Sequence, residues 1–423
     1  MLAPQAVVRC FAPSSRSPLS PHALFAVTGL LALLILAFHS YGPTAALNIS
    51  DYVHELPAAS SSSSADPVDN TLPKFWSMTG KPDLEGVTHY EKPADFRVVA
   101  LVFYGRPASV SILDCYLKRN LVENGGMLDE VIFLARTTNQ EHLEWLDGLV
   151  GTTDSYRRVD VEFEGNNYAS AYDVCEPGVM YIKIDDDIVF FEDSTIPSLV
   201  QTKVEHPEYL TVSANIMNQP SLSWIHHHLG VVKPYMPELS PPETVPNATA
   251  SRWRASELPT WSGPEDFRVG DHFKGPFKGH RWLPMPEGTP IDDTPISTTT
   301  YDAFSPGLWH WTIAAQEHYS FFEHLENNEL FRYKFHKWDY NYRRMGIQFI
   351  AIWGGDVIAN KPIHRDDEYY FTEEVPKKLR RHAIVDGRSV VAHYSFGPQK
   401  DGIASTDILD RYRAFALENI CPQ

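Results

Sequence analysis

From residue 97 onward the chain alternates short, continuous apolar runs with segments whose apolar residues recur three and four apart. Residues 97–104 (RVVALVFY) read as a strand of β-formers that ends at Gly105-Arg106-Pro107, and residues 109–120 follow with helical spacing. The unit then repeats, with 129–134 (DEVIFL) as a strand, a polar turn at 136–139 and a helix through 142–150. A third strand is expected at 156–163 and a helix at 168–174, leading into the apolar run 179–184 (VMYIKI). Strands alternating with helices predict an α/β, Rossmann-type fold whose sheet is mixed but mostly parallel and covered on both faces. Ligands of such sheets bind beyond the carboxyl ends of the strands.

Between residues 234 and 306 the periodicity is lost among Pro, Gly, Trp and charged residues, which marks a long insertion. Its aromatics Trp253, Trp261 and Trp282 suggest a partly ordered lid or acceptor surface. Periodicity returns with a helix at 308–332 and strands at 348–353 (QFIAIW) and 389–394 (SVVAHY). No internal repeat is visible.

The one long apolar run of the chain, 23–38 (ALFAVTGLLALLILAF), is at the short end of what crosses a bilayer. Arg9 and Arg16 precede it without any acid, and the first charges after it are Asp51 and Glu55, so the positive-inside bias leaves the N-terminus in the cytosol. The expected order is a cytosolic tail (1–22), a single transmembrane helix (23–39), a Ser/Pro-rich stem (40–91) and a lumenal domain (92–423). A cleaved signal peptide with Thr44, Ala45 and Ala46 at the cleavage site is the competing reading. Both send the chain into the secretory pathway, and the sequons at Asn48 and Asn247 are compatible with that.

Composition narrows the partners. With 43% hydrophobic and 12% aromatic residues the chain has the makeup of a folded protein. A formal charge of −18 argues against nucleic acid, whose binding draws on Lys and Arg. A small anion remains accessible to an acidic protein when a divalent cation sits between them. Cys10, Cys115, Cys175 and Cys421 form no CxxC pair, so structural zinc is not expected. In an oxidising lumen Cys115, Cys175 and Cys421 allow one disulfide and a spare thiol, with the pairing open.

The chemistry concentrates at Asp185-Asp186-Asp187, directly after the fourth strand. In extended backbone alternate side chains share a face, which would aim Asp185 and Asp187 at one spot and turn Asp186 away. Like charges held together between YIKI and IVFF need compensation by a cation, a proton or a basic partner. Mg²⁺ or Mn²⁺ fits best, because such ions keep positions open for substrate phosphates. A solvated acidic turn before the helix that follows Ser194 would explain the same residues without function.

With these residues in view, YIKIDDDIVFF resembles the strand-plus-DxD element of metal-dependent, nucleotide-sugar glycosyltransferases of the GT-A fold. The resemblance runs from residue 97 to about 209, and more loosely to 399, in the style of type II membrane-anchored members of the Golgi or endoplasmic reticulum. It implies that Asp187 ligates the metal, that Asp185 holds the ribose or a metal-bound water, and that Asp186 supports them. It also implies a late histidine in the metal shell, for which His393 is the candidate beside Asp185 and Asp187. In inverting members a late acidic residue is the general base, and His364-Arg365-Asp366-Asp367-Glu368 offers Asp367 first, then Asp366 and Glu368. These acids open an expected helix, where acids are ordinary partners of the helix dipole. Tyr104, Gly105 and Arg106 after the first strand, and Arg136 after the second, stand where this fold receives the nucleotide, together with Asp185 and Asp186. Arg106 could also pair with phosphate through its planar fork, and both arginines could equally be surface ion-pair partners.

Two further groups invite attention. His226, His227 and His228, read as extended backbone, cannot all ligate one ion and are better taken as acceptor contact or surface. Trp309 and Trp311 are read as core aromatics, with stacking on a sugar as the alternative. The expected activity is transfer of a sugar from a UDP- or GDP-sugar to a lumenal glycan or glycoprotein. Its rivals are a metal-dependent hydrolase and an inactive carbohydrate-binding relative. A nucleotidyltransferase is disfavoured because the stretch after Tyr104 lacks a Gly-rich, Lys-containing signature.

Overall fold

The structure, a computed structural model, describes residues 92–162, 167–243 and 252–421. The expected tail, anchor and stem, Cys10 and both sequons lie outside the described residues. Among the described residues no helix is long and apolar enough to cross a membrane.

Strand β1 (Arg97–Tyr104) sends Val98, Ala100, Val102 and Tyr104 into one apolar cluster and Val99, Leu101 and Phe103 into another. Burial on both faces is why its sequence is a continuous apolar run instead of an alternating one. Helix α1 (Pro107–Arg119) begins with proline, whose missing N–H costs nothing in a first turn. Strand β2 (Glu130–Ala135) leads to α2 (Gln140–Val150), where the Asn139 side chain caps the free amides of Glu141 and His142. Then follow β3 (Tyr156–Asp160), β4 (Val179–Asp185), β5 (Ile188–Phe191), α3 (Thr195–Glu205), β6 (Tyr209–Met217) and α4 (Pro220–His228). The later elements are β7 (Tyr235–Pro237), β8 (Trp282–Pro284), α5 (Trp311–Glu326), β9 (Lys337–Asp339), β10 (Phe349–Trp353), β11 (His382–His393) and α6 (Ile408–Asn419).

The main sheet has the order β3-β2-β1-β4-β10-β6-β11-β5, with β9 paired to β11. Strands β1 to β4, β6 and β11 run one way; β5, β9 and β10 run against them. The mixed α/β architecture read from the alternation is therefore present. After β1 the chain lays β2 and β3 on one side and returns to place β4 on the other. Such a reversal of strand order opens a crevice at the carboxyl ends, here those of β1 and β4.

Several expectations change. Residues 168–174 do not form an α-helix but a 3-10 turn, Ala169–Val174. The third strand ends at Asp160, short of 163. The three aromatics of the 234–306 segment are buried and form no lid: Trp253 packs edge-on against Phe415, Trp261 against Phe267, and Trp282 against Trp311. Each buries more apolar area as core than an exposed lid would allow, which local sequence polarity does not reveal. His226, His227 and His228 occupy the last turn of a helix, with His226 fully buried against Asn215 and Tyr333. Cys115 in α1 is joined to Cys421 just after α6, across 306 residues, leaving Cys175 as a buried thiol.

Candidate active site

Strand alternation holds in β4 as far as Asp185 and stops there, because Asp186 and Asp187 form the turn that carries the chain across to β5. The expected convergence of Asp185 and Asp187, with Asp186 turned away, is therefore not what forms. Asp185 shares the face of Lys183, two residues earlier, and is bonded to its ammonium. Asp186 and Asp187 are instead gathered by one guanidinium, that of Arg106. Asp186 accepts from Arg106 Nε at 2.8 Å and from the Gly105 amide at 2.7 Å, and Asp187 Oδ2 lies 2.9 Å from Arg106 Nη1.

His393 reaches the same carboxylate. A register shift between Ala392 and His393 at the end of β11 sets His393 opposite Ile188, the residue after Asp187. Irregularities of this kind re-aim side chains beside active sites. Its Nε2 lies 3.2 Å from Asp187 Oδ2, and its Nδ1 donates to the Asn218 carbonyl at 3.2 Å. Burial disfavours charge on all of these groups, yet the outcomes differ. His393 and Arg106 hold the buried Asp187 carboxyl well below the usual range, while burial pushes Asp186 up to about 6 against the pull of Arg106. Burial lowers the His393 pKa, but the Asp187 charge outweighs it and the net shift is upward.

A divalent ion needs several oxygen or nitrogen ligands at one point. The three expected ligands do not assemble: Asp185 is held by Lys183, and among the described residues no group of three His, Cys, Asp or Glu side chains could hold a metal. Two of the three do meet. His393 Nε2 lies against Asp187 Oδ2, while Asp187 Oδ1 is buried and accepts no hydrogen bond. Such a pair supplies two of the ligands a divalent ion needs, and both side chains are buried.

A cavity of about 670 Å³ opens at the carboxyl ends of β1 and β4. Gly105, Arg106, Arg136, Asp185 and Asp186 line it, and Asp187 and His393 are not among its lining residues. Tyr104 also borders it, but its ring is fully buried, stacked on Trp145, with its hydroxyl donating to the His142 carbonyl at 2.6 Å. Arg136 lies 3.8 Å from the ring centroid of Tyr168, which stands in the wall beside it.

The second acidic group, Asp366, Asp367 and Glu368, forms another wall of the same cavity. Asp366 caps the following helical turn through the Tyr369 amide at 3.0 Å and is gripped by both terminal nitrogens of Arg344 at 2.9 Å. Burial would raise its pKa, but Arg344 and the cap lower it. Asp367 is buried and accepts from the Tyr172 hydroxyl at 2.8 Å, and burial raises its pKa despite Lys183. Glu368 accepts from Arg344 Nε at 2.6 Å; burial pushes it up to about 7 against that pull. A carboxyl with a pKa near neutrality can take a proton from a hydroxyl.

Sequence reading missed Lys183, Tyr172, Arg344 and Arg365. Lys183 carried a signal, being a cation inside an apolar strand two positions before Asp185. Arg344, 22 residues from Asp366, carried none.

No family model matches the chain, and no curated protein matches its sequence. Among solved structures it is similar to GalNAc-T7 crystallised with UDP, GalNAc and Mn²⁺, at 11% identity over 73% of this chain and 45% of that one, with a TM-score of 0.35. A structure of glucosyl-3-phosphoglycerate synthase from Mycobacterium tuberculosis with Mn²⁺, UDP and glucosyl-3-phosphoglycerate matches at 12% identity, over 33% of this chain and 51% of that one, with a TM-score of 0.24. The 4-diphosphocytidyl-2C-methyl-D-erythritol synthase of Anaerococcus prevotii matches at 13% identity, over 29% of this chain and 57% of that one, with a TM-score of 0.22. The chain spans about half the length of the solved structures it matches. Scores this low add nothing to the reading of the site, which rests on its own geometry.

Proposed function

We propose that this chain is a metal-dependent glycosyltransferase that moves a sugar from a nucleotide-diphosphate donor to a glycan or glycoprotein acceptor in the Golgi or endoplasmic reticulum lumen. One observation carries the proposal: two clusters of acidic side chains, Asp185 with Asp186 and Asp366 to Glu368, line one cavity at the strand-order reversal between β1 and β4. Asp187 and His393 are the residues that would hold Mn²⁺ or Mg²⁺, with Asp186 keeping Arg106 in place beside them. When bound there, the ion supplies positive charge to the departing diphosphate. Arg106 adds a planar fork for phosphate oxygens, and Arg136 with Tyr168 offers a flat wall for the nucleoside.

In the same cavity Glu368 takes the proton of the acceptor hydroxyl. Arg344 fixes its orientation, and Asp367, held by Tyr172, lies close behind. Hydroxyl attack with that proton removed, on a sugar carbon whose diphosphate departs, completes the transfer. The test is the purified chain assayed with a panel of UDP- and GDP-sugars and Mn²⁺. Asp187→Ala abolishes turnover if the proposal holds, and turnover at the wild-type level in that variant overturns it.

A further inference from the structure

Two large side chains close together in the sequence are not buried. Phe304 is 59% exposed and Trp309 51% exposed, in the segment between β8 and α5. The exposure of Trp309 corrects the expectation of a core aromatic, whereas Trp311 does pack inward on Phe273, His280 and Trp282. Two exposed rings forgo the stability that burial of their apolar area would give.

Hydrogen bonds tie the rings down. The Trp309 indole N–H donates to the Phe304 carbonyl at 3.2 Å, and the Phe304 amide donates to Asp302 Oδ1 at 2.7 Å. Gln399 donates to the Gly307 carbonyl at 2.6 Å and accepts from the Phe396 amide at 2.9 Å. Phe396 itself lines the cavity, so the segment is fastened to the cavity edge. On the inner side Arg344 lies 5.3 Å from the centroid of Phe304 and holds Asp366 and Glu368 with its guanidinium. Phe304 is therefore linked to the acidic wall through Arg344, and Trp309 is tied to Phe304.

A pyranose has an apolar C–H face and an edge of hydroxyl donors. Rings beside hydrogen-bond-accepting carboxylates match both, in the way that small-ligand sites combine aromatic walls with a few aimed polar groups. A peptide would present amide donors and acceptors along its length, and a lipid would need a wider apolar trough. We infer that Phe304 and Trp309 form the acceptor subsite, stacking on the terminal sugar of a glycan and presenting one of its hydroxyls to Glu368. This rests on the transferase reading above and narrows its acceptor to carbohydrate.

The experiment uses the full chain and ligand-observed NMR with the methyl glycosides of mannose, galactose, glucose and N-acetylglucosamine, alongside a thermal-shift measurement with UDP and Mn²⁺. At least one glycoside binds the wild type. Trp309→Ala and Phe304→Ala each weaken it by about 5- to 10-fold, the loss of one aromatic contact, and Trp309→Phe restores most of it. The UDP and Mn²⁺ shift stays unchanged in all three variants. Glycoside binding that is absent from the wild type, or unaltered in both Ala variants, overturns the subsite while an intact nucleotide shift leaves the transferase reading standing. Loss of the nucleotide shift in the wild type counts against the transferase reading itself.

Discussion

Asp187 and Glu368, one from each acidic group of this protein, are shifted in opposite directions. At 185–187 and at 366–368 three consecutive carboxyl groups stand next to an arginine, Arg106 in one case and Arg344 in the other. In the first, Asp187 has His393 as well as Arg106 on one buried oxygen and stays ionised. In the second, Arg344 spends both terminal nitrogens on Asp366 and only Nε on Glu368, and burial then carries Glu368 up to about 7. The number of cations per buried carboxylate, and not the number of acids, separates a group suited to holding a cation from one suited to moving a proton.

The hardest test of that contrast is Asp187→Ala, for which turnover with the preferred nucleotide sugar is expected to fall by at least about 10³-fold, as when a principal electrostatic element is removed. Next comes Glu368→Gln, with an expected loss of about 10²-fold in kcat and little change in nucleotide affinity, measured by single-turnover kinetics and UDP titration. If Asp367→Asn shows the larger loss instead, the base is Asp367.

Arg106→Gln sharpens the other side. It leaves Asp186 without a cation and Asp187 with His393 alone, and unfolding by calorimetry is expected to show a loss of about 1–3 kcal/mol, reduced by the partial exposure of Arg106. Added Mn²⁺ should recover more of this stability in the variant than in the wild type, since an ion that binds the native state stabilises it. The smallest effect is in the pH profile. Glu368 must lose its proton to act, and its pKa is raised, so turnover rises with pH through about 7 and levels off above. Because Arg344 pulls that pKa down, Arg344→Met should move the rising limb to higher pH; a limb unmoved in that variant separates Glu368 from the rate.

Much of the fold was legible. The runs at 97–104, 129–134, 179–184 and 348–353 all became strands, because strands buried on both faces must be apolar throughout. Asp185, Asp186, Arg106, Arg136 and the 366–368 acids all line one cavity, as their positions at strand ends and before a helix suggested. The orientation within the triplet was not legible, since a two-residue periodicity describes a strand and Asp186 and Asp187 lie in a turn. Nor was the function of Trp residues: Trp253 and Trp282 look like surface residues in a polar segment and are core, while Trp309 looks like core and is exposed.

Local sequence was enough to determine the apolar strands, the turns that end them and the presence of acids at the end of β4, because these depend on neighbours within a few residues. Tertiary structure alone decided which cation meets which acid. Arg106 is 80 residues from Asp186, Asn218 is 175 from His393, and Cys115 is 306 from Cys421. Charge regulation in a buried site depends on distances across the sheet, and no pattern of spacing along the chain encodes them.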